Sequence, residues 1–312
     1  MLHGTHNALP DERNADVLVY VNGELLPRAD AKISVFDAGY LVGDGIWEGM
    51  RLYDGVLVFA EDHLDRLWRA SKAVHMALPW TRAELTAEVM RTVAANDMHD
   101  GVHLRVMVTR GIKKTPSQDP RLTISGPNLV IIAEHKVADA TTRERGVTLL
   151  TSTIRRGSPD YLDPRLNCHS KLHEVQALIQ AIEAGADEAL MLDIHGMVST
   201  CNATNFFMVS GEEVWTSTGR YCMNGITRAK VIEVCERLGV PCYQRDFSLY
   251  DVYDADEAFV TGTFGGLTPV TKIDGRTIGA GQGSGPLTQK LSAGYQDLIA
   301  ENVAAGQPQP KG

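Results

Sequence analysis

The sequence predicts a two-domain protein of mixed α and β structure, and three observations support this prediction. The chain has 312 residues, which at about 150 residues per domain favours two domains. Several short runs alternate apolar and polar residues between turn dipeptides, a pattern typical of β-strands. Other stretches repeat apolar residues at steps of three and four, which is typical of amphipathic helices.

The first part of the chain reads as a small α+β domain at 17–135, preceded by a flexible polar arm at 1–16. The run VLVYVNGELLP predicts a hairpin that turns at Asn22-Gly23, and KISVFDAGY continues the strand pattern. A second hairpin follows, with its turn at Asp54-Gly55. A helix is predicted from Ala60 and another after Thr81, and VHLRVMVTRG and NLVIIAEH are then predicted strands.

The polar stretch 136–146 predicts an interdomain linker, and 147–304 a larger C-terminal domain before a flexible tail at 305–312. VTLLTSTIRR opens this domain as a predicted strand, and EALMLD, MVSTC, NFFMVS and EAFVTGT have the same pattern. We predict helices at Lys171–Gly185, Arg228–Leu238 and Leu287–Asn302. The first of these carries an apolar stripe made of Leu172, Val175, Leu178, Ile179 and Ile182.

Composition excludes several classes of function. The net charge is −9 and no basic run exceeds two residues, so we expect no nucleic-acid partner. The five cysteines form no CxxC pair and the histidines show no ligand spacing, so we expect no metal site. We see no signal peptide and no apolar run of membrane-spanning length, and therefore expect a soluble cytoplasmic protein without a membrane partner.

Three features could together hold a phosphate group. Gly225-Ile226-Thr227-Arg228 opens a predicted helix, where free backbone N–H groups and a threonine hydroxyl bind anions. Thr261-Gly262-Thr263 ends a predicted strand and adds further donors, while Arg66 could supply a fixed cation. Taken singly, the first is an ordinary helix start and Arg66 an ordinary surface arginine.

The order of motifs resembles the fold-type IV pyridoxal-phosphate enzymes. These are the branched-chain and D-amino-acid aminotransferases, the (R)-amine transaminases and aminodeoxychorismate lyase. The resemblance runs from about Val17 to Leu298 and includes AKISVFDAGYLVGDGIWEGMRLY, EDHLDRL, GADEALMLDIHGMVS, NGITR and YDADEAFVTGTFGG. It implies an α/β (α+β) fold with a smaller N-terminal domain and a larger C-terminal domain with a barrel-like β core. It also implies a homodimer and small-molecule partners, an amine or amino acid and a keto acid.

By this resemblance, Arg66, Ile226, Thr227 and Thr263 hold the phosphate of pyridoxal 5′-phosphate, with Gly225 at the turn before the helix. Two other positions depart from the family pattern. The Schiff-base lysine position reads Asn167, whose amide is not basic, and the glutamate that pairs with the pyridine nitrogen is replaced by Thr200.

The nearest alternative amine is Lys171, four residues after Asn167 and about 6 Å away if that segment is helical. We take Lys171 as the candidate Schiff-base residue, with a solvated lysine at a helix start as the alternative. His169 is a candidate general base, because an unperturbed imidazole titrates near neutral pH.

Four residues are candidates for substrate binding. Arg51 and Arg105 could each bind a carboxylate through two hydrogen bonds, or could belong to structural ion pairs. His103 and Tyr40 could line the pocket.

The leading hypothesis is therefore a pyridoxal-phosphate enzyme acting on an amino acid or amine, nominally a class IV aminotransferase. The first alternative is a lyase or hydrolase on the same scaffold, with altered or no use of a lysine–cofactor bond. The double change at Asn167 and Thr200 favours this alternative. The second alternative is a non-catalytic ligand-binding protein.

Overall fold

The computed structural model describes residues 4–6 and 8–307, and in it the chain divides into two compact units. The N-terminal unit contains Pro10–Val137, Asn167–Ser170 and the chain from Glu301 onward. The C-terminal unit contains Ala138–Leu166, Lys171–Ala300 and the chain up to Leu9. Residues 1–3 and 7 of the expected arm and 308–312 of the expected tail lie outside the described residues.

The N-terminal unit is built on a six-stranded antiparallel sheet. Its strands are β1 (Leu18–Val21), β2 (Glu24–Pro27), β3 (Gly45–Tyr53), β4 (Val56–Val58), β5 (Val102–Thr109) and β6 (Asn128–His135). They lie in the order β2-β1-β6-β5-β3-β4, and both predicted hairpins are confirmed. Single turns of 3₁₀ helix occur at Glu12–Asn14 and Pro120–Leu122.

Three helices belong to this unit: α1 (Ala38–Val42), α2 (Ala60–Ala73) and α3 (Arg82–Ala95). The predictions for α2 and α3 are confirmed, and Thr81 begins α3 through a capping box with Glu84. The predicted strand KISVFDAGY is wrong. Asp37 accepts hydrogen bonds from the N–H groups of Gly39 and Tyr40 and so begins α1 instead.

The C-terminal unit contains a nine-stranded mixed sheet. Its strands are β7 (Val147–Thr151), β8 (Glu188–Leu192), β9 (Val198–Cys201), β10 (Asn205–Ser210), β11 (Glu213–Thr216), β12 (Cys242–Gln244), β13 (Glu257–Gly262), β14 (Gly266–Ile273) and β15 (Arg276–Thr277). The order is β12-β11-β10-β13-β14-β7-β8-β9, and β15 pairs with β14. A three-residue turn joins β9, the last strand of this order, to β10 near the other end. The sheet therefore curls into the expected barrel-like core, which encloses side chains such as Phe206, Val260 and Val270.

The remaining helices are α4 (Ala140–Arg145), α5 (Leu172–Glu183), α6 (Ile226–Arg237), α7 (Leu249–Tyr253) and α8 (Pro286–Ala305). Helix α4 occupies part of the stretch predicted as a linker, and the predicted strand VTLLTSTIRR ends early, at Thr151. Among the described residues, no helix is both long enough and apolar enough to cross a membrane.

Helix α5 presents its apolar stripe outward. Leu172, Val175, Ile179 and Ile182 are 72%, 49%, 52% and 44% exposed. Ala177 and Ala181, on the other face, are buried against β8. The core therefore contacts the small residues of this helix, and its large apolar residues lie at the surface of the unit.

Candidate active site

Asn167 is buried and held against strand β3. Its Nδ2 donates to the Trp47 carbonyl at 2.7 Å, and the Trp47 N–H donates back to the Asn167 carbonyl at 3.0 Å. The side-chain oxygen, Oδ1, has no hydrogen-bond partner although Asn167 is only 2% exposed. An unpartnered buried acceptor costs on the order of 1–3 kcal/mol, so a bound molecule with a donor would stabilise this position.

His169 lies two residues further along the same segment, and its ring packs against two glycines. The backbone N–H of His169 donates to the Gly45 carbonyl at 2.9 Å. A Cβ added to Gly45 would come within 2.8 Å of His169 Nδ1, and one added to Gly39 within 3.1 Å. These glycines therefore allow the imidazole to lie directly against the backbone.

Lys171 belongs to the C-terminal unit and ends in an ion cluster. Its Nζ lies 3.7 Å from the Glu174 carboxylate, which also contacts His173 at 2.9 Å and buried Arg156 at 2.7 Å. Burial alone would raise the pKa of Glu174. The hydrogen bond from His173 and the two neighbouring cations outweigh burial and lower this pKa to about 2. The ionised carboxylate favours the ammonium form of Lys171, whereas bond formation to an aldehyde requires the free amine.

Arg66 is anchored on a buried carboxylate in the N-terminal unit. Its Nε and one terminal nitrogen each donate to Glu48 at 2.7 Å, and His63 Nδ1 lies 2.7 Å from the same carboxylate. Burial raises the pKa of Glu48, but the charge and hydrogen bonds of Arg66 and the contact with His63 lower it overall. Glu48 is therefore ionised and fixes the plane of the Arg66 guanidinium, of which 14% remains exposed.

The N-terminus of α6 has the features of an anion site. Gly225 is the residue before the helix, and no side chain caps the first turn. The N–H groups of Ile226 and Thr227 precede the first intrahelical bond, which Ala229 donates to the Gly225 carbonyl. The Thr227 hydroxyl lies 3.5 Å from that of Tyr295.

Strand β13 brings another unused donor beside this helix start. Thr261 pairs with Asn205 across the sheet, and the Asn205 side chain lies so close to Gly225 that an added Cβ would meet it at 2.3 Å. The Thr261 hydroxyl is buried and has no hydrogen-bond partner among the residues that the structure describes. Thr263 follows directly after β13 and is half-buried. The sequence motif at 261–263 pointed to this region without indicating which hydroxyl lacks a partner.

Thr200 is buried in β9, and its hydroxyl is engaged by Thr204 and Asn205, where the chain passes into β10. It donates to the Thr204 carbonyl at 2.7 Å and accepts from Asn205 Nδ2 at 3.3 Å. A bound pyridine ring would have to compete with both contacts for this hydroxyl. The hydroxyl also lacks the negative charge that keeps a pyridine nitrogen protonated.

The strand register places three of the candidate substrate residues on one face of the N-terminal sheet. Arg51 pairs with His103, and Gly49 pairs with Arg105. The Arg105 guanidinium stacks on the Trp47 indole, 3.8 Å from the ring centroid. Burial lowers the pKa of Arg105, and the charge of Glu134 opposes this shift. The stacked guanidinium holds its hydrogen-bonding groups in a fixed plane for an incoming anion.

Lys136 adds a cation to this face that the sequence reasoning missed. Arg51 donates to the Lys136 carbonyl at 2.7 Å. Burial lowers the pKa of Lys136, Glu134 opposes this, and the positive charges of Arg105 and Arg51 lower it further. A bound carboxylate would relieve this repulsion. Sequence alone carried no signal for Lys136, because its position beside this face depends on the register between β5 and β6, which puts Glu134 opposite His103.

Tyr40 lies on α1 and is 71% exposed. It belongs to the N-terminal unit, together with Asn167, His169, Arg66, Arg51, His103 and Arg105. Lys171, Thr200, Gly225, Ile226, Thr227 and Thr263 belong to the C-terminal unit. No group of three or more metal-ligating side chains suited to an ion occurs within the described parts of the chain.

Comparison with known proteins identifies the family to which the chain belongs. A family model for amino-transferase class IV matches residues 45–273. The chain is 41% identical over 293 residues to branched-chain-amino-acid aminotransferase-like protein 2 of Arabidopsis thaliana, covering 93% of this chain and 52% of that protein. It thus spans about half the length of the first curated relatives that it matches.

Two further proteins match over nearly their whole length. A putative branched-chain-amino-acid aminotransferase of Methanocaldococcus jannaschii is 36% identical over 281 residues, covering 90% of this chain and 96% of that one. The crystal structure of the T.th. branched-chain amino acid aminotransferase with pyridoxamine 5′-phosphate has a TM-score of 0.85 at 27% identity, covering 91% and 95% of the two chains. The chain therefore belongs to the class IV aminotransferase family, which has the fold-type IV architecture.

Proposed function

We propose that this protein is a pyridoxal-phosphate enzyme that transfers an amino group between an amino acid or amine and a keto acid. The observation that carries the proposal is the uncapped N-terminus of α6 beside the unpartnered Thr261 hydroxyl. Its relatives are named as branched-chain aminotransferases or as proteins like them. One solved relative holds pyridoxamine 5′-phosphate. When bound, the cofactor supplies an electron-accepting ring that stabilises charge at the carbon bearing the amino group.

The residues fit the phosphate of this cofactor better than they fit its covalent attachment. Ile226 and Thr227 offer backbone N–H groups at a positive helix end, and Thr227 and Thr263 add hydroxyl donors. Arg66, oriented by Glu48, supplies the cation. Asn167, by contrast, offers an amide where the family has an amine, and so cannot form a bond to an aldehyde.

Lys171 is the proposed attachment residue in this chain. Its amine must leave the contact with Glu174 and lose a proton before it can bond to the cofactor. His169 is the proposed base, and its fixed position against Gly45 and Gly39 limits the directions in which it can accept a proton. Thr200 would contact the ring nitrogen through its hydroxyl.

The substrate carboxylate is proposed to bind on the face of Arg105, His103 and Arg51, with Tyr40 at its edge. Trp47 keeps the Arg105 guanidinium flat, so that two parallel N–H groups can meet a carboxylate. The names of the relatives make branched-chain amino acids the first donors to test.

A second candidate function is a lyase or hydrolase that binds the cofactor without a lysine bond. The buried amide of Asn167 and the ion pair between Lys171 and Glu174 favour it. Elimination and cleavage depend less than transamination on a protonated pyridine nitrogen. Thr200, which has no charge to keep that nitrogen protonated, is therefore compatible with these reactions. A non-catalytic ligand-binding protein is the third reading, and it predicts binding without turnover of any donor.

The proposed assembly is a homodimer. The apolar stripe of α5 is an exposed hydrophobic surface of the kind that contacts a partner. The segment 33–42 is a second such surface. Its large apolar residues are each at least 38% exposed: Ile33, Val35, Phe36, Tyr40 and Val42. Five free cysteines among the described residues support a reducing, cytoplasmic location.

The substitution Arg105→Met tests the proposed function. We expect it to raise the KM for the amino donor at least about tenfold, because the loss of one charged carboxylate contact costs roughly 1.5–3 kcal/mol. The assay follows product amino acid by mass spectrometry, with branched-chain donors and a keto-acid acceptor. Arg82→Met is the matched control, because Arg82 also stacks on an indole, 5.6 Å from the Trp68 centroid, and should leave KM unchanged. Equal KM values in both variants would remove Arg105 from the site.

A further inference from the structure

A buried arginine of the C-terminal unit has no carboxylate counter-ion among the described residues. Arg228, on the first turn of α6, is 4% exposed and donates to the Ser217 carbonyl at 2.6 Å and to Gln244 Oε1 at 3.0 Å. A further contact joins it to Asn224, and its Nε has no partner. No carboxylate within the described residues comes within ion-pair distance of it. Because a buried unpaired charge is costly, this cation favours a negative charge nearby.

Two cysteines, Cys235 and Cys242, lie on the two elements that Arg228 joins. Cys235 is seven residues after Arg228 on α6, and residues seven apart lie on the same helix face. Cys242 begins β12, two residues before Gln244, so the two side chains point to the same side of the strand. Arg228 donates a hydrogen bond to Gln244. The side of β12 that carries Gln244 and Cys242 therefore faces the side of α6 that carries Arg228 and Cys235.

The turn between these elements holds the two cysteines together. Leu238, Gly239, Val240 and Pro241 connect α6 to β12, and the Val240 N–H donates to the Cys235 carbonyl at 2.8 Å. Cys235 is fully buried, whereas Cys242 is half-buried and can meet a small reagent from solvent.

The two thiols have different acidities. The hydrogen bond from Cys235 lowers the pKa of Cys242, burial opposes this, and the charge of Arg228 lowers it further. The same hydrogen bond, with burial, raises the pKa of Cys235. The pair therefore combines an accessible sulfur that ionises easily with a buried protonated neighbour, the arrangement of an attacking and a resolving cysteine.

We propose that Cys242 and Cys235 form a reversible thiol–disulfide site whose oxidant is a peroxide. The Cys242 thiolate attacks one peroxide oxygen, an S–O bond forms, the O–O bond breaks, and the leaving hydroxide takes a proton. The Cys235 sulfur then attacks the Cys242 sulfenic acid, the S–S bond forms, and water leaves with the proton of Cys235. Two thiols are oxidised and one peroxide is reduced to two waters. Two molecules of a small thiol then restore the reduced pair and leave as their own disulfide.

Peptide mapping of the wild-type chain tests the proposal. Reduced protein receives about one equivalent of hydrogen peroxide, and the remaining thiols are alkylated after denaturation. We expect a Cys235–Cys242 cross-link that disappears with dithiothreitol. A Cys242 that stays reduced, or that proceeds to sulfinic acid without a cross-link, would overturn the proposal.

Variants separate the roles of the two sulfurs. Cys235→Ser should stop at a Cys242 sulfenic acid that dimedone traps. The matched control Cys201→Ser should cross-link as the wild type does, although Cys201 is also buried. In the reduced native protein, Cys235→Ala should slow alkylation of Cys242 about fivefold, while Cys235→Ser, which keeps a donor, should slow it less. Equal rates in the Ala and Ser variants would overturn the assigned hydrogen bond.

Discussion

Glu174 is the residue whose charge organises the surroundings of Lys171. It binds Arg156, His173 and Lys171 from one buried carboxylate, and its pKa is held at about 2. Because this pKa lies below the ordinary value of 4.5, the folded state gains stability from the ionised form. That contribution is complete above about pH 4.5 and declines as the pH falls toward about 2.

The variant Glu174→Gln should therefore lose stability at pH 7 and not at low pH. After allowance for solvent screening, we expect a loss on the order of 2 kcal/mol at pH 7, shrinking toward zero near pH 2. Urea unfolding at several pH values measures it. Glu183→Gln, on an exposed position of the same helix, is the control and should follow the wild-type curve. A deficit of the same size at pH 3 and pH 7 would contradict the assigned charge state.

The site residues show what sequence reasoning could and could not provide at this scale. The assignments of Asn167 and Thr200 to the family's catalytic positions rest on spacing along the sequence and stay predictions. The ion pair of Lys171 with Glu174 was within reach, since residues three apart are neighbours on a helix. The stacking of Arg105 on Trp47 could not be predicted from the sequence, because it depends on the register between β3 and β5.

At the scale of elements, α1 shows how one side chain decides between strand and helix. The run KISVFDAGY has the alternation of a strand, but Asp37 is buried and accepts from two N–H groups of the next turn. The same carboxylate also accepts from Thr109 and from Asn128 at 2.6 Å each. The cap itself is local, but these two partners lie far along the chain, so a local pattern could not reveal that Asp37 is buried and held in place.

Removing this cap should be unusually costly. We expect Asp37→Ala to lower the free energy of unfolding by about 3 kcal/mol, roughly 1 for the cap and the rest for two buried donors left without an acceptor. Asp139→Ala removes an exposed cap, at the start of α4, and should cost about 1 kcal/mol. Denaturant midpoints compare the two, and equal losses would show that the buried contacts contribute nothing.

Helix α5 shows a second limit of the local pattern. The three- and four-residue steps identify a helix and its apolar stripe, and both are present. Periodicity cannot say which face packs on the core, because Ala177 and Ala181 also repeat at helical spacing. The small residues pack against β8, and the large apolar residues are exposed at the surface of the unit.

At the scale of the whole molecule, the exposed apolar stripe of α5 is the proposed contact surface of a homodimer. A homodimer that buries the α5 stripe should separate when a charge is placed in it. We expect Ile179→Glu to shift the protein from dimer to monomer in light scattering coupled to size-exclusion chromatography. Ile124→Glu is the control, because Ile124 is 67% exposed and belongs to the other unit. A variant that remains dimeric would exclude the stripe as the contact surface.

The domain bounds at 135 and 147 stay predictions, and the two compact units interleave along the chain. The chain leaves the N-terminal unit after Val137, inside the polar stretch 136–146. The return of Asn167–Ser170 to that unit had no signal in composition, because it depends on backbone pairing of Cys168 with Ile46.

The most direct test of the account is to add pyridoxal phosphate to the purified protein, record its visible absorbance, reduce with borohydride and map the peptides. The account predicts saturable binding and a reduced adduct on Lys171, lost in Lys171→Met but kept in Lys230→Met, a control lysine on α6. Binding without an adduct on any lysine would contradict the proposed attachment and favour cofactor chemistry without a lysine bond. The absence of binding would contradict the central claim itself.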